Sequence, residues 1–235
     1  MEKIEKINAI KSDHLEKGVK PVIASIIEWG SDKGLDDLSR YVLRKIKQNG
    51  EDVDYYQNNK YFEKHKMLSH GMKTWVISDC NEKDKYSMSY RDCTGIVISG
   101  IDKETGKEIS ILSHQEHEYA SVLKKEEFEN DLSKSIQKIK ERSKPRTIDA
   151  VMFGGIDMGS EASFDYKPFI NNLSKICEKE LGFEPVIITS PNPMAGGGTD
   201  AFFDTKNRRL YIVKNLQEMK EEGYPILPSN LESKE

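Results

Sequence analysis

The strongest constraint on the fold is a pair of apolar runs joined by a short charged turn. The runs extend from Thr94 to Ser99 and from Glu108 to Ser113, and both are rich in β-branched residues. The turn between them, residues 100–107, is polar and contains two glycines. This pattern predicts a β-hairpin. An antiparallel hairpin places the start of its first strand beside the end of its second.

Two reactive side chains lie at those two ends. Cys93 comes directly before the first run, and His114 comes directly after the second. The predicted hairpin therefore brings a thiol and an imidazole close together, which is a candidate pair of nucleophile and base. The alternatives without chemistry are a small buried cysteine at a strand start and a histidine on a loop at a strand end.

The chain before the hairpin has helical spacing. Isoleucines recur from Ile4 to Ile10, a second apolar group runs from Val22 to Ile27 after Pro21, and a third stripe runs from Leu35 to Ile46. These patterns predict three helices. Residues 1–70 are therefore expected to form a helical N-terminal extension, ending in a polar and aromatic segment.

From Lys73 onward the period changes to that of strands. Short apolar runs separated by Asn, Asp and Gly predict strands, and two amphipathic stripes that begin at Phe128 and Phe169 predict helices. The expected fold class is α+β, a layered α/β sandwich with a mainly antiparallel β core and two covering helices. Residues 71–215 would form this domain, and residues 216–235 a C-terminal tail with a short helix.

Composition narrows the class of partner and the compartment. The chain is 36% hydrophobic and 32% charged, and its net charge of -4 comes from nearly balanced acids and bases, so nucleic acid is not an expected partner. The sequence shows no apolar run long enough for a membrane span or a signal peptide, so a cytoplasmic protein is expected. Leaderless export as an effector stays open.

Metal and cofactor sites are not expected. His114 and His117, with Glu116 or Glu118, could be an alternative zinc site, but no further His or Cys cluster supports it. The three cysteines are too few for a disulfide framework, and the glycine loop around Gly197 lacks the Lys-Ser or Lys-Thr of a phosphate-binding loop. No organic cofactor is indicated.

Four blocks occur in an order that resembles a known family. They are SMSYRDCTGIVIS, ISILSH, AVMFGGIDM and VIITSPNPMAGGGTDAFFDTKNRRLYIVK. Together they resemble the chemoreceptor glutamine deamidase family, CheD, whose layered fold is similar to the catalytic domain of the cytotoxic necrotizing factor toxins. The resemblance spans a little over half of the chain. The sequence departs from the family in the turn YRD before the cysteine and in QEHEY after the histidine.

The resemblance implies a role for several residues. Cys93 would be the nucleophile, His114 the base, and Ser87 would stand where the family has a threonine that fixes the imidazole tautomer. Ser89 and Ser113 lie near enough in sequence to be alternatives to Ser87. The oxyanion donors and site rim would come from residues near the strand ends and from the glycine loop, namely Asp92, Thr94, Gly154, Gly155 and Gly197.

These patterns support one leading hypothesis and two alternatives. The leading one is a cysteine-dependent protein glutamine deamidase, whose partner is a protein that presents a Gln side chain. The alternatives are a non-catalytic binding or regulatory module on the same fold, and a transglutaminase or protease with the same dyad. A catalytic Cys93 should be alkylated faster than Cys80 or Cys177. The sequence leaves the substrate and the oligomeric state open.

Overall fold

The computed structural model describes residues 13–29, 37–53, 74–88, 90, 93–116, 120, 124–154, 166–188 and 199–215. The helix predicted near Ile4, segment 54–73 and the tail after residue 215 lie outside these ranges. Within them the helices are α1 (Asp37–Asn49), α2 (Lys125–Arg142) and α3 (Tyr166–Leu181). The strands are β1 (Ile23–Trp29), β2 (Glu51–Asp52), β3 (Trp75–Ile77), β4 (Lys85–Ser87), β5 (Thr94–Ile101), β6 (Glu108–Gln115), β7 (Asp149–Gly154), β8 (Val186–Ile188), β9 (Thr199–Asp204) and β10 (Arg209–Asn215).

The strands form two five-stranded sheets. Sheet I has the order β1-β10-β9-β4-β2, and sheet II has the order β3-β6-β5-β7-β8. Sheet II is antiparallel apart from the β7–β8 pair, and its centre is the predicted hairpin β5–β6. In sheet I the outer pairs β1–β10 and β2–β4 are parallel.

Three buried apolar clusters define four layers. One cluster joins α2 and α3 to sheet II, a second lies between the two sheets, and a third joins α1 to the outer face of sheet I. The layers are therefore α2 and α3, sheet II, sheet I, and α1. The predicted α+β class, with its layered sandwich and its two helices over the hairpin sheet, is confirmed.

One predicted element near the N-terminus is wrong. The apolar group Val22 to Ile27, expected to be a helix, contains strand β1, which pairs in parallel with β10. Val22 and Ala24 are buried against the cluster between the sheets, while Ile27 packs against the α1 cluster. This two-faced alternation suits a strand between two layers, and the partner strand lies at the far end of the described sequence.

Strands from both sides of residue 70 pair within sheet I. β1 and β2 come from the predicted N-terminal extension, and they pair with β10 and β4 respectively.

Among the described helices, none is long and apolar enough to cross a membrane.

Candidate active site

The candidate site lies at one end of sheet II, on the face that looks toward sheet I. Thr94 of β5 pairs with Gln115 of β6, and side chains alternate between the two faces along each strand. His114 and Cys93 each precede one of these paired residues, so they share the other face. Cys93 packs in the cluster between the sheets. The register makes them diagonal neighbours, which are about 7–8 Å apart at the backbone.

Ser87 reaches this pair from the opposite sheet. Ser87 ends β4 of sheet I, and its Oγ lies 2.7 Å from Nδ1 of His114. The side chains of Ser87 and His114 are both fully buried. This contact is the one that the sequence analysis predicted for the third member of the site. The catalytic roles of these residues stay predictions.

Of the alternative serines, Ser113 has a structural role. Its Oγ accepts a hydrogen bond from the backbone N–H of Ile96 at 3.0 Å. The paired positions of β5 and β6 pass from Thr94–Gln115 directly to Val97–Leu112, so this hydroxyl serves the backbone where regular pairing is interrupted. Ser89 lies outside the described residues.

Tyr90 covers one face of the His114 ring. The two ring centroids are 3.9 Å apart and the planes differ by 18°, which is a stacked arrangement. The Tyr90 hydroxyl donates a hydrogen bond to the carbonyl oxygen of Ser113 at 2.9 Å, and the phenol ring tilts against Phe153 at 5.1 Å. Tyr90 is only 1% exposed. It therefore belongs to the packed wall of the site.

Burial sets the charge state of the base. Desolvation lowers the pKa of His114 from its ordinary value of 6.5 to about 3. Taking an imidazole out of water disfavours its charged form. His114 is consequently neutral near pH 7, which leaves one ring nitrogen available as a proton acceptor.

Two glycines allow the close packing around Cys93. A Cβ on Gly95 would lie 2.4 Å from the ring of Phe153, and a Cβ on Gly154 would lie 2.7 Å from the backbone oxygen of Cys93. Gly154 also has a φ of +83°, which other residues rarely adopt. The end of β7 therefore lies directly against the backbone of Cys93.

The other predicted rim residues are placed only in part. Thr94 pairs with both Gln115 and Gly154, and its side chain accepts a hydrogen bond from Gln115 Nε2 at 3.0 Å. This side chain lies on the face away from Cys93, so any contribution of Thr94 to the site is through its backbone. Asp92, Gly155 and Gly197 lie outside the described residues.

The remaining two cysteines lie on the other side of sheet II. Cys80 and Cys177 are both buried and free, and both pack in the cluster between sheet II and the helices. Burial raises the pKa of Cys177 to about 12 and also raises the pKa of Cys80. A raised pKa lowers the thiolate fraction, so these two thiols are natural controls for Cys93.

The zinc alternative gains no support from the part of the chain that is described. No cluster of three or more His, Cys, Asp or Glu side chains occurs there. His117 and Glu118 lie outside the described residues, so the HQEHE segment cannot be assembled into a site.

Two residues of the site were missed in the sequence. Tyr90 was noted only as part of an unusual turn, and nothing in a local pattern indicates that its ring stacks on His114. Thr74 is fully buried, and within the described ranges its hydroxyl has no hydrogen-bond partner. Its backbone oxygen accepts from the N–H of Glu116, which places it beside the same end of β6.

No protein-family model matches the sequence, and no curated protein matches it.

Proposed function

We propose that this protein is a cysteine-dependent amidohydrolase, and most specifically a protein glutamine deamidase. The observation that carries the proposal is the buried 2.7 Å contact between Ser87 Oγ and His114 Nδ1, beside Cys93 on the same face of sheet II. A serine that accepts a hydrogen bond from Nδ1–H leaves Nε2 with the lone pair that a base needs. Burial keeps the imidazole neutral near pH 7, and the same burial makes it a weaker proton acceptor.

The proposed reaction follows from these three side chains. His114 Nε2 accepts the Cys93 proton, and the thiolate attacks the carbon of the substrate carboxamide. As the C–N bond breaks, the imidazolium returns the proton to the departing ammonia. A water molecule, deprotonated by His114, then hydrolyses the thioester and leaves a glutamate side chain and the free thiol.

The choice of a glutamine carboxamide rests on the resemblance to the chemoreceptor glutamine deamidases. A transglutaminase or a protease would use the same nucleophile and base, with a different acyl acceptor or a different bond. The four sequence blocks and the layered fold favour deamidation among these reactions.

A non-catalytic binding or regulatory module is the second candidate. The observation in its favour is the burial of the pair, since Cys93 is 4% exposed and His114 is not exposed. A buried thiol beside a neutral imidazole is also what a structural core would contain. This candidate predicts that no amide is converted.

Mass spectrometry of glutamine peptides tests the proposal. Purified protein is incubated with casein and with a cleared bacterial extract, and each Gln is inspected for the mass gain of conversion to Glu. We expect conversion with the wild type and none with Cys93→Ala, because the amide needs a covalent nucleophile. Ser87→Ala should slow conversion by about 10-fold or more, because the tautomer of His114 is no longer fixed.

Cys177→Ala is the matched control. It removes a buried thiol from a different cluster and should keep the activity of the wild type. If no Gln is converted in a Cys93-dependent manner, the non-catalytic candidate replaces the proposal.

A further inference from the structure

We infer that Tyr90 is a positioning residue of the proposed reaction: its ring fixes the plane of the His114 imidazole and stabilises the imidazolium that forms when Cys93 loses its proton. This inference rests on the proposed function.

The contacts of Tyr90 fix its own ring. Its hydroxyl bonds to the carbonyl oxygen of Ser113 at 2.9 Å, and that residue is the neighbour of His114 on β6. Phe153 supports the phenol ring at 5.1 Å. The ring that stacks on His114 is therefore attached to the strand that carries His114, so the two move together.

Ser87 and Tyr90 restrain different motions of the imidazole. The hydrogen bond between Ser87 Oγ and Nδ1 fixes the rotation of the ring about its bond to Cβ. The stacked phenol, 3.9 Å away and 18° from parallel, prevents the ring from tilting out of its plane. Together the two restraints hold the lone pair of the remaining nitrogen, Nε2, in one orientation. Cys93 lies on the same face of sheet II, diagonally across from His114 in the register of β5 and β6.

The stacked ring also bears on the charge that forms during proton transfer. Burial opposes an imidazolium at this position. The negative face of an aromatic ring attracts a cation within about 6 Å, and the effect grows when the site is desolvated. Desolvation is the cause that lowers the pKa of His114. Tyr90 is the group in face contact with the imidazole ring.

A double-mutant cycle between Tyr90 and His114 tests the inference without a substrate. The measured quantity is the rate of Cys93 alkylation by iodoacetamide at neutral pH, followed by mass spectrometry. In the protein with His114, Tyr90→Leu should slow alkylation on the order of 10-fold, and Tyr90→Phe, which keeps the aromatic face, should stay within about 3-fold of wild type. In the His114→Gln background there is no imidazole to position. Tyr90→Leu should then change the rate of Cys93 alkylation only by altering the access of iodoacetamide to the thiol.

Two controls keep the result interpretable. Tyr211→Leu removes a buried tyrosine from the α1 cluster and should show no coupling to His114. Tyr90→Met fills more of the vacated space and replaces Tyr90→Leu if that variant does not fold. The inference is overturned if the Tyr90 effect is equal in both backgrounds, or if Tyr90→Phe slows alkylation as much as Tyr90→Leu.

The outcomes for Tyr90 and for the proposed function are separable. Coupling without any Cys93-dependent glutamine conversion would leave Tyr90 as the positioning residue and refute amide hydrolysis. Conversion without coupling would support the proposed function and refute the role of Tyr90.

Discussion

As the proposed general base, His114 would have to meet two demands at once. A general base at neutral pH has to be unprotonated, and it also has to be held in one orientation. Burial meets the first demand by lowering the pKa of His114 to about 3. The contacts with Ser87 and Tyr90 meet the second. The same burial makes protonation of His114 costly in the folded protein. The protonation state of His114 is therefore linked to the stability of the fold.

This linkage predicts a loss of stability in mild acid. The pKa of His114 is depressed in the folded state, so the unfolded chain binds the proton more readily. The contribution to stability is fully present above about pH 6.5 and is lost as the pH falls toward about 3. Between pH 7.5 and pH 5 the wild type should lose about 2 kcal/mol from this group alone. Urea unfolding at both pH values measures the loss.

His114→Gln is the comparison for this prediction. Gln does not titrate, so the variant should show a shallower decrease in unfolding free energy over the same range. Between pH 7.5 and pH 8.5 the two proteins should respond alike. Equal decreases between pH 7.5 and pH 5 would show that His114 is not the group responsible.

Sequence patterns anticipated part of this residue-level picture. Cys93 and His114 stand out because a hairpin has to bring its two ends together, and Ser87 follows from the resemblance. Tyr90 could not be identified in this way, since its contact with His114 is a tertiary contact between side chains. Such contacts between side chains are set by tertiary packing, which leaves no periodic pattern in the sequence.

At the scale of elements, local patterns predicted the hairpin well and β1 poorly. Strands β5 and β6 pair with each other through a short turn, so their pattern and their partner lie in one stretch of sequence. The apolar group Val22 to Ile27 is compatible with a helix or a strand. Its pairing with β10 decides the outcome, and that pairing joins distant parts of the chain. Tertiary pairing commonly overrides local propensity in this way.

The end of β7 gives a sharp prediction about close packing. Gly154 and Gly182 have nearly equal φ values, +83° and +85°. An added Cβ on Gly154 would lie 2.7 Å from the Cys93 oxygen, whereas one on Gly182 would meet nothing within 4 Å. Gly182→Ala should therefore lose only the cost of the backbone conformation, about 1–2 kcal/mol. Gly154→Ala should lose about 1–3 kcal/mol more because of the overlap.

Thermal and urea unfolding of the two variants measure this difference. Gly154→Ala should also slow the chemistry of Cys93, because the only way to relieve the overlap is to displace backbone. Equal losses of stability in the two variants would show that the β7 end is loosely packed against Cys93.

For the whole molecule, Arg208 connects elements that are distant in sequence. It lies in the turn between β9 and β10, and its guanidinium is 1% exposed. It donates hydrogen bonds to Glu108 at 2.8 Å, to the carbonyl oxygen of Lys20 at 3.0 Å and to that of Thr147 at 2.8 Å. One side chain of sheet I thus binds β6 of sheet II, the segment before β1 and the segment before β7.

Arg208→Met should be strongly destabilising. The substitution leaves the partly buried Glu108 carboxylate and two carbonyl oxygens without their donor, and breaking such a pair typically costs about 3–5 kcal/mol. Arg208→Lys should recover little, because an ammonium cannot reach three separate acceptors. Chemical denaturation measures both variants.

The double variant Arg208→Met with Glu108→Gln should recover part of the loss, since the unpaired charge is removed. Lys107→Met breaks the exposed pair with Glu82 and should have little effect. A small loss in Arg208→Met would show that water replaces the guanidinium readily at this position.

The four-layer arrangement was predictable only as a class. Counting strand-like and helix-like segments leads to a layered sandwich, and the structure bears this out. The division into two sheets was not predictable, because β4 pairs with β9 and β2 and not with β3 or β5, its neighbours in sequence. Buried polar side chains that join several elements, such as Arg208, could not be predicted either. A single arginine in a turn has no pattern that distinguishes it from an exposed one.

The pairing of β1 with β10 has a consequence for the order in which the protein is made. Every strand of sheet II lies before residue 189, so that sheet is available while the C-terminal part is still being translated. Sheet I is complete only when β9 and β10 have left the ribosome, and domains tend to fold as units during synthesis. β4, which carries Ser87, lies between β2 and β9. A nascent chain would therefore carry Cys93 and His114 before Ser87 is fixed beside them, and the proposed activity would have to wait until β9 and β10 have paired.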